Sequence, residues 1–454
     1  MQHKYNLNDT IFAPITPKIG GAVCIFRISG SDALKIKSHL SCPDLKPNEC
    51  VFSKLFDAEK QLLDEVLVTF FKAPKSFTGQ DCIEISLHAS LYIYEKFIAL
   101  MRDSLNFRFA ENGEFLYRAV MNQKMDINHA EGINMLIKSQ SASQHSFAMS
   151  QMSKDLSDVY RSWYDKICEI YALIEANIDF SDQEIPQDTI KYIENELFNL
   201  TKQMNKYINS PCQSQIFDGI DIAILGRPNA GKSSLINTIC NKDVSIVSNI
   251  PGTTRDLVSK SVVISGFLVN IIDTAGIREN SSDEIENQGI LRAISAVKSS
   301  AIRIFVFENG EIDMDLLEKY YMPSDILLCS KSDLINEEVR QKKVPNIEKY
   351  SIKSSDFLFI STKNGDGIDQ LLSHIKAKIE ENMPSISDNI CVSDRQKDIL
   401  IKCYSIITSA GSIDEIEIFA ESMRSAMAQM GQIFGNMSIE DILGQIFSKF
   451  CIGK

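Results

Sequence analysis

The feature that most constrains this chain is a loop at residues 226–233, which reads Gly-Arg-Pro-Asn-Ala-Gly-Lys-Ser and fits the pattern G-x-x-x-x-G-K-[ST]. An apolar run at 220–225 precedes the loop, and a helical pattern follows it. A strand, loop and helix in this order turn backbone N–H groups and a helix N-terminus onto phosphate oxygens. The loop therefore predicts a nucleotide phosphate site, in which Lys232 contacts the β- and γ-phosphates and Ser233 binds Mg²⁺.

A second element completes the predicted phosphate and magnesium site. Residues 273–276 read Asp-Thr-Ala-Gly and follow an apolar strand, so that Asp273 is placed to hold the Mg²⁺ shell. Gly276 lets its backbone N–H approach the γ-phosphate closely. The intervening loop at 251–256 reads Pro-Gly-Thr-Thr-Arg-Asp, and its Thr254 is placed to offer a second hydroxyl to Mg²⁺.

The base-reading element indicates guanine. Residues 330–333 read Ser-Lys-Ser-Asp where the guanine-binding pattern is Asn-Lys-x-Asp, so Ser330 stands in the place of an asparagine that reads the O6/N7 side. The Asp333 carboxylate accepts from guanine N1–H and N2–H and repels the N1 acceptor of adenine, which favours GTP over ATP. Lys331 is placed to lie over the base. Residues 361–363, Ser-Thr-Lys, suit a loop that contacts O6 through backbone N–H groups.

Hydrolysis requires a group that positions the attacking water. In small GTPases a glutamine follows the Asp-x-x-Gly glycine, but here that position is Ile277, whose aliphatic side chain cannot orient water. A carboxylate further along must therefore do this work, and the nearby candidates are Asp283, Glu284 and Glu286.

The pattern around this site is that of an α/β domain. Apolar runs alternate with helical patterns, which indicates a mostly parallel sheet wrapped by helices. A Ser-Gly pair at 265–266 predicts a tight turn and one antiparallel strand pair. The predicted strands are 220–225, 262–264, 267–272, 303–307, 325–329 and 357–360.

The rest of the chain has a different character. Its first part mixes short apolar runs at 22–28, 65–71 and 82–87 with glycine and proline, while 128–209 and the residues after 384 are helical in pattern. We expect a multidomain α/β + α protein with a P-loop domain inserted into a helical one. The predicted domains are an N-terminal α+β domain at 1–125, a central helical domain in two parts at 126–215 and 383–454, and an inserted P-loop GTPase (Ras-like) α/β domain at 216–382.

The composition of the chain bears on its cellular location and on the partners it can bind. No apolar run reaches the roughly 18–20 residues of a membrane span, and the polar start does not resemble a signal peptide. The 11 cysteines are scattered singly, which favours reduced thiols and a cytoplasmic location. The net charge of −13 argues against broad non-specific binding of nucleic acid, but it is compatible with a local basic groove or a basic partner subunit.

Motifs along the whole chain resemble the tRNA modification GTPase family called MnmE or TrmE. The phosphate loop and the Pro-Gly-Thr-Thr-Arg-Asp loop are shared with ribosome-assembly GTPases, but the C-terminal Phe-Cys-Ile-Gly-Lys at 450–454 is specific to the family. The N-terminal matches are Arg-Ile-Ser-Gly at 27–30, Ser-Phe-Thr-Gly at 76–79 with Asp81 and Glu84, Gly-Glu-Phe at 113–115, Arg118-Ala119, Asn122, Lys124, Asp126 and Ala130-Glu131.

The resemblance implies a function. The family binds a tetrahydrofolate derivative (5,10-methylene or 5-formyl) in its N-terminal domain and forms a homodimer there. With the FAD-dependent subunit MnmG, in a heterotetramer, it adds an aminomethyl or carboxymethylaminomethyl group to C5 of the tRNA wobble uridine. Its GTPase activity is activated by K⁺ and by dimerisation of the GTPase domains. The resemblance also implies that the tRNA is held mainly through the partner and that no membrane is involved.

The resemblance also carries residue roles onto this chain. Glu286 matches the glutamate that positions water, and Asp273 belongs to the same catalytic set. The metal positions are Ser233 and Thr254 for Mg²⁺ and Asn229, Ser248, Ile250 and Thr253 for K⁺. The folate positions are Arg27, Glu84, Lys124 and Lys454. The expected GTP-binding residues are Asn229, Ala230, Gly231, Lys232, Ser233, Ser234, Ser248, Thr253, Thr254, Asp273, Thr274, Ala275, Gly276, Ser330, Lys331, Asp333, Ser361, Thr362 and Lys363.

Several alternatives stay open at this point. Cys451 either completes the packing of an apolar helix face or brings a thiol to the modification site. Arg27, Glu84 and Lys124, taken alone, read as ordinary surface charges, and His88 and His129 read as structural. The whole chain has two rival readings: a GTP-switched RNA or ribosome-assembly binding module without modification chemistry, and a decayed family member, which the replacement of Asn by Ser330 suggests.

Overall fold

The chain divides into two compact units, each built from segments distant in sequence. The computed structural model describes residues 5–18, 21–42, 44–179, 186–210, 212–241, 259–273, 295–308, 311–334, 350, 352–382, 392–411, 415–434 and 453. One unit comprises Met1–Asn134, Met152–Phe198 and Lys402–Lys454, and the other Met135–Gln151 and Asn199–Ile401. The predicted domain limits stay predictions.

The first unit contains a six-stranded sheet in which β1 and β6 pair in parallel and the other neighbours are antiparallel. Alternate residues of β4 are buried, as expected for a sheet with one covered face. Helix α1 (Leu91–Ala99) packs on that face, where the rings of Phe97 and Phe26 lie 4.8 Å apart. The strand order is β3-β4-β5-β2-β1-β6, with β1 Ile11–Pro14, β2 Val23–Ser29, β3 Cys50–Phe56, β4 Leu62–Phe71, β5 Cys82–His88 and β6 Arg108–Phe109.

Within the described residues, the predicted helical regions at 128–209 and after 384 are confirmed, whereas residues 435–452 lie outside the described part of the chain. Apolar residues at three- and four-residue spacing in the longest helix, Ile167, Ile170 and Ile174, are fully buried. This helix packs against the last described one, which buries Phe419 and Met423. The helices are α2 Glu114–Met121, α3 Ile127–Lys138, α4 Ala142–Met152, α5 Lys154–Asp179, α6 Gln187–Ile208, α11 Asp394–Ser409 and α12 Ile416–Gly431, and those of the second sheet are given below.

The second unit contains the predicted α/β sheet. All neighbours are parallel except β8 and β9, which the predicted turn at Ser265 and Gly266 joins as an antiparallel pair. Every predicted strand is present, although four of the six end one residue away from the expected place and one begins three residues earlier than expected. The order is β12-β11-β10-β7-β9-β8, with β7 Ile220–Leu225, β8 Ser259–Ile264, β9 Phe267–Asp273, β10 Ile302–Glu308, β11 Ile326–Ser330 and β12 Phe357–Phe359.

Apolar clusters cover both faces of this sheet, which explains why its central strands are apolar throughout. Because β7, β9, β10, β11 and β12 run in parallel, their carboxyl ends meet at one edge, where the described residues of the predicted nucleotide site lie. The helices of this region are α7 Gln213–Phe217, α8 Lys232–Asn241, α9 Met314–Tyr320 and α10 Ile368–Asn382. Within the described ranges, no helix has both the length and the apolar character that crossing a bilayer requires.

Candidate functional site

The phosphate loop leaves β7 through a close backbone contact. Gly226 has a φ of 157°, and a Cβ added there would lie 2.4 Å from the carbonyl oxygen of Val306 on β10. Only glycine therefore allows the strand to turn into the loop at this point. Asn229 follows with a φ of 65°, which places it in the left-handed region with an exposed side chain.

Lys232 is held inside this loop. It is the first residue of α8 and only 6% exposed, and its Nζ donates to the carbonyl oxygens of Gly226 at 2.6 Å and Arg227 at 2.8 Å. Burial lowers the pKa of Lys232 from its ordinary value, and the Asp273 carboxylate opposes that shift. The loop thus encloses an ammonium group at the N-terminus of a helix, an arrangement suited to phosphate.

The two predicted magnesium-site residues are adjacent in the structure. Ser233 Oγ donates to Asp273 Oδ2 at 3.4 Å, which joins the start of α8 to the end of β9. A cleft of about 210 Å³ opens beside this pair, and Lys260 and Asn237 line it with Ile236 and Ile271. Ser234, the next residue of α8, is exposed.

The base-reading residues lie at the ends of β11 and β12. Ser361 Oγ donates to Asp333 Oδ1 at 2.8 Å, so one carboxylate oxygen is oriented by a neighbouring loop. Two backbone bonds join the same loops, from the N–H of Ser332 to the carbonyl of Ile360 at 3.0 Å and from the N–H of Ile360 to the carbonyl of Cys329 at 2.9 Å. The exposed Asp333 side chain therefore lies on a loop that hydrogen bonds hold to the neighbouring loop.

The flanking residues of this region are also in place. Lys331 has a φ of 58°, and its Nζ pairs with the Glu308 carboxylate at the end of β10. Thr362 is half-buried and Lys363 exposed in the turn after Ser361, whose N–H donates to the carbonyl of Asp366 at 3.0 Å. All the base-reading residues predicted from the sequence thus lie at one edge of the sheet.

A second cluster lies in the N-terminal sheet. Arg27 on β2 and Glu84 on β5 are register partners, and Arg27 Nε and NH2 donate to Glu84 Oε1 at 2.9 and 2.8 Å. The guanidinium lies 4.4 Å from the centre of the Phe77 ring. Lys124 Nζ donates to the carbonyl oxygen of Pro74 at 2.8 Å, so it lies near the same 74–79 segment that Phe77 belongs to.

Beneath this cluster lies a buried charge network to which sequence reasoning assigned no role. Arg118 is fully buried, and its guanidinium donates to Gln80 Oε1 at 2.9 Å, to Glu114 Oε1 at 2.9 Å and to the carbonyl oxygens of Asn6 and Asp9. It thereby ties α2 to the N-terminal segment and to the 76–80 segment. The sequence feature that could have indicated this network is the pair of opposite charges, Glu114 and Arg118, at i and i+4 inside an otherwise apolar helix.

The chain terminus reaches the same sheet. Gly453 is buried with a φ of 96°, and a Cβ there would lie 2.1 Å from the carbonyl oxygen of Pro14 at the end of β1. Only glycine permits this approach. The predicted site residues that lie outside the described part of the chain are Ser248, Ile250, Thr253, Thr254, Thr274, Ala275, Gly276, Glu286, Cys451 and Lys454, together with the alternative water-positioning candidates Asp283 and Glu284.

Comparisons with known proteins cover nearly the whole chain. A family model described as the MnmE helical domain matches residues 127–451, and one described as the N-terminus of the GTP-binding protein TrmE matches residues 10–124. The tRNA modification GTPase MnmE of Rickettsia akari is 36% identical over 454 residues, which is 98% of this chain and 100% of that protein.

Two further comparisons concern a second relative and a solved structure. The protein of the same name from Rickettsia conorii is 35% identical over the same shares of both chains. A crystal structure of Era from Aquifex aeolicus is similar over 36% of this chain and 57% of that one, at 24% identity and a TM-score of 0.29, which carries no further argument.

Proposed function

This chain belongs to the MnmE family of tRNA modification GTPases, and from that premise we propose a specific reaction for it. The chain is a GTP hydrolase that acts in tRNA modification. We propose that, with the flavoprotein MnmG and its FAD, it adds an aminomethyl or carboxymethylaminomethyl group to C5 of the wobble uridine. The carbon would come from a tetrahydrofolate derivative. The observation that carries the proposal is the coexistence of the Lys232 phosphate loop and the Arg27–Glu84 cluster in one chain.

The phosphate site fits GTP with Mg²⁺. Ser233 Oγ and Asp273 Oδ2 are neighbouring oxygen ligands of the kind Mg²⁺ prefers, and Thr254 would add another hydroxyl. When bound, the ion would neutralise the charge that develops on the phosphates. Lys232 supplies the fixed positive charge within the loop, and Glu286 would orient the attacking water.

We further propose K⁺ activation through Asn229. Asn229 is an exposed residue of the phosphate loop, so its amide oxygen is available to a cation that would supply positive charge beside the transferring phosphoryl group. Ser248, Ile250 and Thr253 would complete the ligand set.

Asn229→Ala is therefore expected to abolish the stimulation of GTP hydrolysis by K⁺ while nucleotide affinity is unchanged. The measurement compares hydrolysis rates in KCl and NaCl and GDP affinity in both. Asn241→Ala, at the opposite end of α8, is the matched control and should keep the stimulation. Equal stimulation of the Asn229 variant by K⁺ would show that the cation binds elsewhere.

The folate proposal rests on the chemistry of the N-terminal cluster. Arg27 can meet a folate carboxylate, the Glu84 carboxylate can accept from pterin N–H groups, and the Phe77 ring offers an aromatic surface. Lys124 lies close to the same segment. The close approach of Gly453 to Pro14 supports the inclusion of the neighbouring Lys454.

Glu84→Gln is expected to weaken the binding of 5-formyltetrahydrofolate by about tenfold or more, because a charged acceptor is lost. Isothermal titration calorimetry measures this directly. Glu65→Gln on the adjacent strand β4, where Glu65 is exposed and lies opposite Lys54, serves as the control and should bind normally. Unchanged affinity in the Glu84 variant would remove this residue from the folate site.

The proposed partners are a second copy of the chain and MnmG. Phe52 on β3 and Leu67 on β4 are register partners with exposed fractions of 61% and 48%, so they form an apolar surface on the N-terminal sheet. Such a surface supports the homodimer that we propose through this domain. Transfer RNA would be contacted mainly through MnmG, since this chain carries a net charge of −13.

Complementation tests the whole proposal. The chain is expressed in bacteria that lack their own copy, and the wobble uridine of digested tRNA is measured by mass spectrometry. We expect restored modification. No restoration, with GTP hydrolysis intact and the host flavoprotein bound, would contradict the proposal and favour a GTP-switched binding module.

A further inference from the structure

We propose that Ser330 braces the phosphate loop and takes no part in reading the base, so that the site recognises guanine by its N1/N2 edge and is indifferent to N7. The proposal rests on the guanine-nucleotide site described above and specifies which guanine compounds it accepts. Nucleotides in which carbon replaces N7 then bind as well as GTP or GDP themselves.

The position of the Ser330 hydroxyl carries the argument. Ser330 is the last residue of β11 and only 4% exposed. Its Oγ donates to the carbonyl oxygen of Ala230 in the phosphate loop at 2.7 Å, with the carbonyl oxygen of Phe307 on β10 at 3.2 Å. A residue 100 positions away in sequence is thus bonded directly to the loop that holds the phosphates.

The number of hydrogen-bond donors on the side chain explains why this bond excludes a contact between Ser330 and the base. A serine hydroxyl has one O–H donor, whereas an asparagine amide has two N–H donors. Guanine N7 and O6 are both acceptors, so any side chain that reads them must donate. An asparagine can bond Ala230 with one N–H and the base with the other. Ser330 has one hydroxyl proton, which it donates to the Ala230 carbonyl, so it keeps the bond to the phosphate loop and has no donor left for the base.

Guanine selection then depends on Asp333. Ser361 Oγ holds one oxygen of its carboxylate at 2.8 Å, which fixes the orientation of an acceptor pair for N1–H and N2–H. A purine without the 2-amino group loses one of these two bonds. The site consequently distinguishes guanine from hypoxanthine, although it ignores the atom at position 7.

Five nucleotide titrations on the full-length protein test this, three on the wild type and two on the Ser330→Asn variant. GDP and 7-deaza-GDP, which has carbon in place of N7, should bind with equal affinity within about twofold, while IDP should bind about tenfold or more weakly, as expected for a lost bond to a charged group. Ser330→Asn should create a preference for GDP over 7-deaza-GDP of roughly three- to tenfold. Gly231 leaves space beside this position, because a Cβ there would lie 3.8 Å from Ser330 Cβ.

Two further variants distinguish support of the phosphate loop from recognition of the base. Ser330→Ala should weaken GDP and 7-deaza-GDP equally, by roughly three- to tenfold, because the brace is lost for both. Ser300→Ala removes another buried serine hydroxyl, which donates to the carbonyl oxygen of Ala296 at 2.6 Å beyond the opposite end of β10, and should leave both affinities unchanged.

Each outcome decides the proposal. A wild-type preference for GDP over 7-deaza-GDP above about threefold, or its absence in the Ser330→Asn variant, would overturn the claim about N7. Equal binding of IDP and GDP would overturn recognition by the N1/N2 edge. No binding of GDP at all would instead refute the nucleotide site itself, so the two failures are distinguishable.

Discussion

Replacing Lys232 by alanine is expected to lower kcat for GTP hydrolysis by at least about 100-fold, the usual effect of removing one preorganised charged donor. The ammonium group is 6% exposed and is held between the carbonyl oxygens of Gly226 and Arg227 at the N-terminus of α8. It is therefore oriented within the loop before any phosphate arrives. A single-turnover assay of phosphate release measures the effect.

The control for this prediction is Lys376→Ala. Lys376 is an exposed lysine on α10 of the same unit, 3.8 Å from Glu380, and its loss should leave the hydrolysis rate unchanged. A Lys232 variant that hydrolyses GTP at the wild-type rate would contradict the assignment of the loop as the phosphate site. GDP affinity measured on both variants separates lost binding from lost turnover.

Glu114→Gln is expected to reduce the stability of the N-terminal unit by about 3–5 kcal/mol, as for other buried ion pairs that lose one partner. Glu114 is fully buried, and Oε1 accepts from Arg108 NH2 at 2.6 Å and from Arg118 NH2 at 2.9 Å. Oε2 accepts from Arg108 NH1 at 3.0 Å. A glutamine amide would point a donor at these donors and would remove the carboxylate that is bonded directly to the fully buried Arg118.

Urea unfolding followed by tryptophan fluorescence measures this change. The chain has one tryptophan, Trp163, which is buried in the same compact unit as Glu114. Glu421→Gln is the matched control, because Glu421 pairs with Arg424 at 2.8 Å on the exposed side of α12. It should leave the unfolding midpoint unchanged, since exposed ion pairs contribute little. An unchanged midpoint for Glu114→Gln would mean that the buried pair is dispensable.

The α/β sheet was predictable because its signals are local. Each apolar run ends at a turn or loop residue, and the antiparallel β8–β9 pair follows from Ser265 and Gly266 alone. Some observed strand ends, such as that of β11, lie one residue from the predicted ends, because hydrogen bonding to neighbouring strands decides where a strand stops. The phosphate loop was equally clear, since glycine, lysine and serine at fixed spacing encode the strand–loop–helix turn directly.

Long-range contacts were not predictable. The Arg27–Glu84 pair depends on the register of β2 against β5, and the Ser361–Asp333 bond joins the ends of two strands. Arg118 has no partner that the sequence indicates beyond Glu114 on the same helix, yet the fold buries it completely against Asn6, Asp9 and Gln80. No local pattern encodes such partners, because they become neighbours only when the chain is folded.

The sequence by itself determined the phosphate loop, the positions of strands and helices along the chain, the family and the residues available for chemistry, because each of these can be recognised from short local motifs. The tertiary structure alone decided which of these residues meet. It placed the Ser330 hydroxyl on the carbonyl of Ala230 and fully buried Glu114 between two arginines. Such contacts depend on strand register and packing, which arise only from the collective burial of apolar surface.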